Sequence, residues 1–387
     1  MKSNYKRLGD YIRQVDVRNK DDERYDLLGV SVEKCFISSI ANTVGTDWHN
    51  YKIIKKGQFC YIPDTSRRGD KIGIAHLTDR EIGLVSAVYT VFEVWNKELV
   101  PEYLMLWFKR PEFDRYARYH SHGSVREIFD WEEMCNVELP VPPIEEQEKI
   151  VDAYQKIETR ITLKKKTNEN LEKQAIAMFH ALFDDQNTWK DGVFADLGEI
   201  VGGATPSKEN AEYFCDNGIV WLTPKDLTST GLKFIYKGET DITKTAYQSC
   251  STKIMPQGTV LLTSRAPVGS VAIAMVDLCT NQGFKSIVPK KKIGTAYVYY
   301  FLKENKQLLD SYSSGTTFME ISGNVLKSIP TKIPPYILTE KFTQLCKPIF
   351  SYQAKLELEI MKLNQLLAVI NSSLVSCWKH RDNNIFI

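Results

Sequence analysis

Two histidines one residue apart, His120 and His122, are the most closely spaced imidazoles in the 387-residue sequence, and such a pair can share one metal ion. The cysteines add nothing to that shell. All eight, at positions 35, 60, 135, 215, 250, 279, 346 and 377, are scattered without a Cys-x-x-Cys pair, so a satisfied loop pair is the plainer reading of the histidines. Pro63-Asp64 opens like a nuclease carboxylate motif, yet no Glu-x-Lys follows at strand spacing. A phosphate-cradling glycine-lysine loop is missing as well. Nucleophile, base and oxyanion donors cannot be grouped anywhere. What the chain offers instead is cations set among aromatic, Gly and Ser residues. Lys52, Lys55, Lys56, Arg67, Arg68 and Lys71 meet only Asp64 and Asp70 between residues 50 and 71, and Lys225, Lys253, Arg265 and Lys285 are their counterparts further on. Such side chains suit contacts with phosphates and base edges. The chemistry is that of a binder, and Lys290-Lys291-Lys292 reads as a solvated turn.

Ile333-Pro334-Pro335-Tyr336 is similar to the Asn/Asp-Pro-Pro-Tyr loop with which DNA amino-methyltransferases grip a target amino group, but the polar first residue is an isoleucine here. Nor does a glycine-rich turn after a strand offer a seat for S-adenosylmethionine, because Gly202-Gly203 runs straight into Ala204-Thr205-Pro206. The double proline also occurs at Pro142-Pro143. An extended dipeptide of this kind, followed by acidic residues, is a helix start.

That recurrence is one of many. His122-Gly123-Ser124 stands 19 residues ahead of the first double proline by its glycine, and Ser314-Gly315-Thr316 stands the same distance ahead of the second, both landmarks offset by 192. Behind each double proline an apolar seam steps by alternating four and three residues. The first comprises Ile150, Tyr154, Ile157, Ile161, Lys164, Asn168, Leu171, Ala175, Met178 and Leu182. Adding 192 returns Phe342, Cys346, Ile349, Gln353, Leu356, Ile360, Leu363, Leu367, Ile370 and Leu374 in the same register. This is the a/d stripe of a heptad, and a lone amphipathic helix of that length needs a partner for it. Its own repeat is the obvious one, the alternative being that each seam docks onto its own globule. A pseudo-twofold relation makes the pair antiparallel, with Lys164 and Asn168 opposite apolar or mixed layers where they penalise wrong registers.

Earlier landmarks recur with drifting offsets: Leu8-Gly9-Asp10 with Leu197-Gly198-Glu199, Gly57 with Gly258, Tyr103-Leu104 with Tyr297-Val298. Each copy opens with short β-rich runs punctuated by Gly, Pro, Asn and Asp, and holds one inner helix, roughly 101–119 and 296–310. The expected fold is α+β: two repeated α/β domains joined by two long helices that form an antiparallel coiled coil. Its boundaries are 1–143 for the first domain, 144–185 for the central helix, 186–335 for the second domain and 336–387 for the C-terminal helix and tail.

Composition bounds the class. The chain is 43% hydrophobic and 25% charged, which excludes a disordered or collagen-like protein. Neither a membrane span nor a signal peptide is legible, and scattered cysteines point to a reduced, cytoplasmic protein without structural zinc. Lys+Arg number 21 against 22 Asp+Glu in residues 1–143, and 16 against 13 in residues 190–335, so bulk charge alone does not announce a nucleic-acid partner.

Gly202-Gly203-Ala204-Thr205-Pro206-Ser207, Tyr213, Gly218-Ile219-Val220-Trp221-Leu222, Asp226, Ile242-Thr243, Gly258 through Arg265, Gly269, Asn281-Gln282, Gly315-Thr316-Thr317 and Ile333-Pro334-Pro335 together resemble the target-recognition domain of the specificity subunit of type I restriction-modification systems. Pro142-Pro143-Ile144-Glu145-Glu146-Gln147 ahead of a heptad helix looks like that family's central spacer. The resemblance implies a two-domain reader of double-stranded DNA in which each globule recognises one half of a bipartite, asymmetric site. The paired helices would set the spacing and dock two modification subunits. It implies no catalytic residues, metal or cofactor in this chain. S-adenosylmethionine, ATP and Mg would belong to the modification subunits and to two restriction (translocase and nuclease) subunits. The first globule departs from the pattern, reading Gly9-Asp10-Tyr11-Ile12-Arg13 in place of Gly-Gly-x-Thr-Pro-Ser, which implies a different half-site. The second helix opens Pro335-Tyr336-Ile337-Leu338-Thr339-Glu340, without the Glu-Gln of the first.

Two readings from other classes stand beside this one. A catalytic DNA methyltransferase or nuclease with diverged motifs would bind S-adenosylmethionine by itself. A coiled-coil adaptor would give no salt-dependent, sequence-selective shift of DNA.

Overall fold

The computed structural model describes residues 5–39, 47–65, 71–122, 127–265, 267–313 and 319–381, with the backbone alone for 373–381. The described chain forms two compact units, Met1–Ile161 with Leu363–Ile387, and Thr162–Lys362. Each unit takes one globule together with a stretch of both long helices, so the division crosses the four segments drawn on the sequence.

In the first unit, a sheet runs in the order Ile12–Val15, Thr90–Val94, Phe59–Tyr61, Ile74–His76, antiparallel throughout. A second sheet, Phe36–Ser38, Leu27–Val30, Ile82–Val85, Lys52–Lys55, contains one parallel pair at its centre. The second unit repeats the plan with changed edges. Gly198–Gly202, Lys285–Pro289, Val260–Leu262 and Val271–Ala274 form the first sheet, which gains Phe234–Ile235 as a fifth strand. The second sheet, Phe214–Cys215, Thr240–Ile242, Ile219–Leu222, Cys279–Thr280, again holds one parallel pair. Phe59 faces Phe92 across the first ladder and Val260 faces Ile287 across its counterpart, all four buried completely. Gly57 at φ 85° and Gly258 at φ 89° turn the chain into these matching strands, a conformation that only glycine adopts without cost.

The inner helix expected in each copy is two helices. Pro101–Phe108 gives way to Pro111–Tyr119, because Pro111 lacks the N–H that a continuing helix needs and holds Arg110 extended. Thr295–Glu304 likewise stops before Lys306–Ser311. Further caps repeat at an offset of 192. Asp130 accepts from Glu133 N–H at 2.9 Å and Ser322 from Val325 N–H at 3.2 Å, opening equivalent short helices.

Both double prolines lead directly into long helices, Ile144–Phe183 and Tyr336–Arg381. The missing Glu-Gln of the second helix is replaced functionally. Gln147, fully buried, donates to Glu98 O at 2.7 Å and accepts from Val100 N–H at 2.8 Å; Thr339, 192 residues on, donates to Lys292 O at 2.6 Å. Within the second unit the helices run antiparallel: Lys164 meets Glu359, Gln353 donates to Asn168 O at 3.3 Å, and Phe179 and Phe183 pack on Phe342. Lys164 therefore meets an acid instead of the apolar or mixed layer expected. Ile161, Ala175 and Leu356 of the seam are buried; Ile157, Leu171, Ile360 and Leu363 are half-buried. In the first unit Ile150, Leu367 and Ile370 close over the core that contains Tyr154. The side chain of Leu374 lies outside the described residues.

The second unit adds a buried polar junction between sheet and helices. Lys233 Nζ donates to Glu172 Oε2 at 2.8 Å, Tyr300 Oη at 2.7 Å and Gln353 Oε1 at 3.0 Å, and sits 4.1 Å from the centre of the Phe350 ring. Burial draws Lys233 down to about 8 against the pull of Glu172. Burial pushes the Glu172 carboxyl up, but Lys233 and Lys303 outweigh it and hold it at about 2.

No helix among the described residues is long and apolar enough to cross a membrane.

Candidate functional site

The resemblance motifs of the second copy fall into two groups. One group is scaffold. Asp226 caps its own helix by accepting from Thr223 N–H at 2.7 Å and also takes Glu239 N–H at 2.8 Å, while Thr243 accepts from Ala246 N–H at 3.2 Å. The other group converges on residues 280–285. Thr280 O accepts from Ala204 N–H at 3.0 Å and from the Thr252 hydroxyl at 2.9 Å. Ser264 N–H donates to Gly283 O at 2.8 Å, and Ile321 N–H to Ser264 O at 3.0 Å. Thr205 Oγ1 donates to Gln282 Oε1. Four stretches remote in sequence thus meet on the connection between the Cys279–Thr280 strand of one sheet and the Lys285–Pro289 strand of the other.

The cations singled out in the second copy lie in these stretches or next to them in sequence. Lys285 opens its strand, and Arg265 follows Ser264. Lys253 follows Thr252, and Lys225 follows Pro224, which packs against Gly283. Their partners differ. Lys225 pairs with Glu239 at 3.0 Å, and that bond raises its pKa. Arg265 Nε lies 3.1 Å from Glu320 Oε2. Lys285 reaches the carbonyls of Phe284 and Gln282 at 3.3 and 3.4 Å. Burial lowers its pKa, Glu320 opposes that, and Arg265 adds to it. Lys253 is exposed. Glu320 had no local signature: the pairing joins residues 55 apart, brought together by the backbone bridge between positions 265 and 320 and the adjoining Ile321 N–H bond to Ser264 O.

Among the described residues of the first copy the cations have separate partners. Lys52 is buried, its ammonium 2.8 Å from Tyr89 O and 3.3 Å from Asp16. It ties a sheet edge and has no charge to offer a ligand, which corrects its reading as a contact residue. Lys55 and Lys56 are exposed before one end of Phe59–Tyr61, Lys56 paired with Glu81 at 2.8 Å. Lys71 arrives on the connection at the other end of that strand and pairs with Glu33 at 2.9 Å. Arg67 and Arg68 lie outside the described residues, as do Gly123, Ser124 and residues 314–317.

The residues considered for catalysis have structural tasks. His120 and His122 both turn to the carboxylate of Glu133, at 3.1 and 3.8 Å, and no metal-ligating cluster of three or more occurs among the described residues. Asp64 bridges to Ile128 in the backbone. Gly202-Gly203 does not fit S-adenosylmethionine: a Cβ on Gly203 would lie 2.0 Å from Thr280 O and 2.3 Å from Asn281 O, so backbone already fills its open side. Tyr336, after the second double proline, donates to Glu340 at 3.1 Å within its helix.

A family model described as type I restriction modification DNA specificity domain matches the chain twice, over residues 10–173 and 186–367. The chain is 40% identical over 192 residues to the type I restriction enzyme MjaIX specificity subunit of Methanocaldococcus jannaschii, a match covering 49% of this chain and 43% of that protein. It is 21% identical over 409 residues to the HindI specificity subunit of Haemophilus influenzae, covering 84% and 87%. Among solved structures, the type I restriction-modification system S subunit from M. genitalium has a similar fold, with a TM-score of 0.60, 12% identity and coverage of 96% and 95%.

Proposed function

The chain belongs to the family of type I restriction modification DNA specificity proteins, and from that premise we propose that it is the non-catalytic DNA-reading subunit of such a complex. Each copy reads one half of a bipartite, asymmetric site. The observation that carries this reading is the convergence of the Gly203–Thr205, Ser264–Arg265 and Asn281–Lys285 stretches with Glu320–Ile321 on the connection between the two sheets. Arg265 and Lys285 belong to these stretches, and Lys253 and Lys225 stand next to them in sequence; with the amide of Gln282 they would supply phosphate-positioning charge and base-edge donors. In the first copy Lys55, Lys56 and Lys71 remain as contact candidates, with Arg67 and Arg68.

Under this reading the antiparallel helices set the distance between half-sites and dock two modification subunits, which supply S-adenosylmethionine, while two restriction subunits supply ATP- and Mg-dependent work. The assembly operates in the cytoplasm, where its DNA is. The seam from Ile150 to Leu182 covers 33 residues, about 50 Å at ~1.5 Å each. A heptad added to both helices should therefore widen the preferred spacer by about three base pairs without altering the bases read.

Methylation profiling of a host that carries the chain with its modification partner tests the proposal. A two-part motif is expected, one half of which changes when residues 1–140 are exchanged for the first domain of a relative. Loss of both halves together would refute one reader per copy.

A further inference from the structure

We propose that Glu320 is a built-in competitor for DNA phosphate: its carboxylate holds Arg265 in the free chain, and backbone phosphate of the recognised DNA displaces it. The inference rests on the reading of this region as a DNA contact and adds to it a device against unspecific binding.

Three observations support it. First, the carboxylate serves two cations, lying 3.1 Å from Arg265 and acting on the charge of Lys285. Second, the pair is easy to exchange. The Arg265 and Glu320 side chains are 47% and 37% exposed, and a pair so open to water contributes little by itself. Its backbone does not need to move, because the bridge between positions 265 and 320 and the Ile321 N–H bond to Ser264 O hold the strand segments while the side chains separate. Third, the surroundings favour an incoming anion. Lys285 is half-buried beside a second cation, and its stem passes Gly202 and Gly323, where no side chain shields it. The topologically equivalent positions of the first copy hold Asp64, Ile128 and Thr90, so the device belongs to one reader and not to the scaffold.

The consequence is a threshold. An unspecific phosphate gains too little to displace Glu320 from Arg265, whereas at the recognised site the added base contacts favour the exchange.

The test uses the full chain with its modification subunits and measures anisotropy of labelled duplexes, one carrying the methylated motif and one unrelated, across a range of KCl. Glu320→Gln should raise affinity for the unrelated duplex about tenfold and steepen its salt dependence by about 0.9 in log–log slope, the signature of one further phosphate neutralised. Affinity for the motif should change less, so the specificity ratio falls. Arg265→Met in the Glu320→Gln background should restore the original slope. Glu199→Gln removes the same charge from an exposed strand position and should leave unrelated DNA bound as before. An unchanged slope in Glu320→Gln, or an equal effect of Glu199→Gln, overturns the competitor role while leaving the DNA reading intact. Failure of the unaltered complex to bind the motif in a salt-dependent way overturns both.

Discussion

The two copies solve the same docking problem in different ways. In the first unit, globule and helix meet through the neutral, buried amide of Gln147 and through Lys109, which pairs with Glu158 at 2.9 Å while both remain partly exposed. In the second, Thr339 keeps one of the Gln147 contacts, and the joint is completed by Lys233 and Glu172, sealed among Tyr300, Gln353 and Phe350. The sheets themselves recur strand for strand at their centres. The difference teaches that the repeat preserves backbone geometry and apolar core, whereas polar joints and loop edges are free to diverge.

The strongest way to break this comparison is to remove one partner from the sealed joint. Glu172→Ala should destabilise the second unit by roughly 3–5 kcal/mol, since it leaves Lys233 buried without its carboxylate. Glu158→Ala should cost the first unit less than about 1 kcal/mol, as expected of an exposed pair. Hydrogen exchange of the full chain, resolved by peptide, measures the two separately; equal losses would show that the joints are equivalent.

Acid should discriminate between the units in the same sense. Glu172 is held at about 2, below its ordinary 4.5, so its contribution is complete above about pH 4.5 and is lost as pH falls toward 2. The interval corresponds to roughly 3 kcal/mol. Denaturant unfolding across that range should show the second unit weakening, and Glu172→Gln should flatten the dependence.

A smaller contrast sharpens the shared part of the joint. Gln147→Ala strands Val100 N–H and two carbonyls and should cost about 2 kcal/mol, against about 1 kcal/mol for Thr339→Ala, which strands one carbonyl. Thermal unfolding of each variant decides the order.

At the loop edges, Arg265→Met should weaken binding of the motif about tenfold and reduce the salt slope by about 0.9. Asp64→Asn, at the equivalent place in the first copy, should change motif affinity less than about twofold. A comparable loss from both would mean that the edges are used alike.

Much of this architecture was legible in the chain because it depends on local regularities. The seam at Ile150, Tyr154, Ile157 and Ile161 and its return 192 residues later expose a 3.5-residue period, and Pro142-Pro143 and Pro334-Pro335 mark the two helix starts. Pro111 could have been read as the break between Phe108 and the next helix, since proline interrupts a helix by itself. Lys52 could not have been sorted from Lys55 and Lys56: a strand places successive side chains on opposite faces, but which face is buried depends on what packs against it.

What the sequence determined alone is therefore the part governed by neighbours along the chain: two copies, two long amphipathic helices, and glycine turns such as Gly57 and Gly258. What tertiary structure decided is the part governed by residues far apart. Lys164 met Glu359, and Lys233 was enclosed by residues from both long helices and the inner helix. Arg265 was brought to Glu320. Whether a lysine is a free charge, a sealed structural ion or a contact waiting to exchange partners depends on burial and on the nearest carboxylate, and neither quantity exists until the chain has folded.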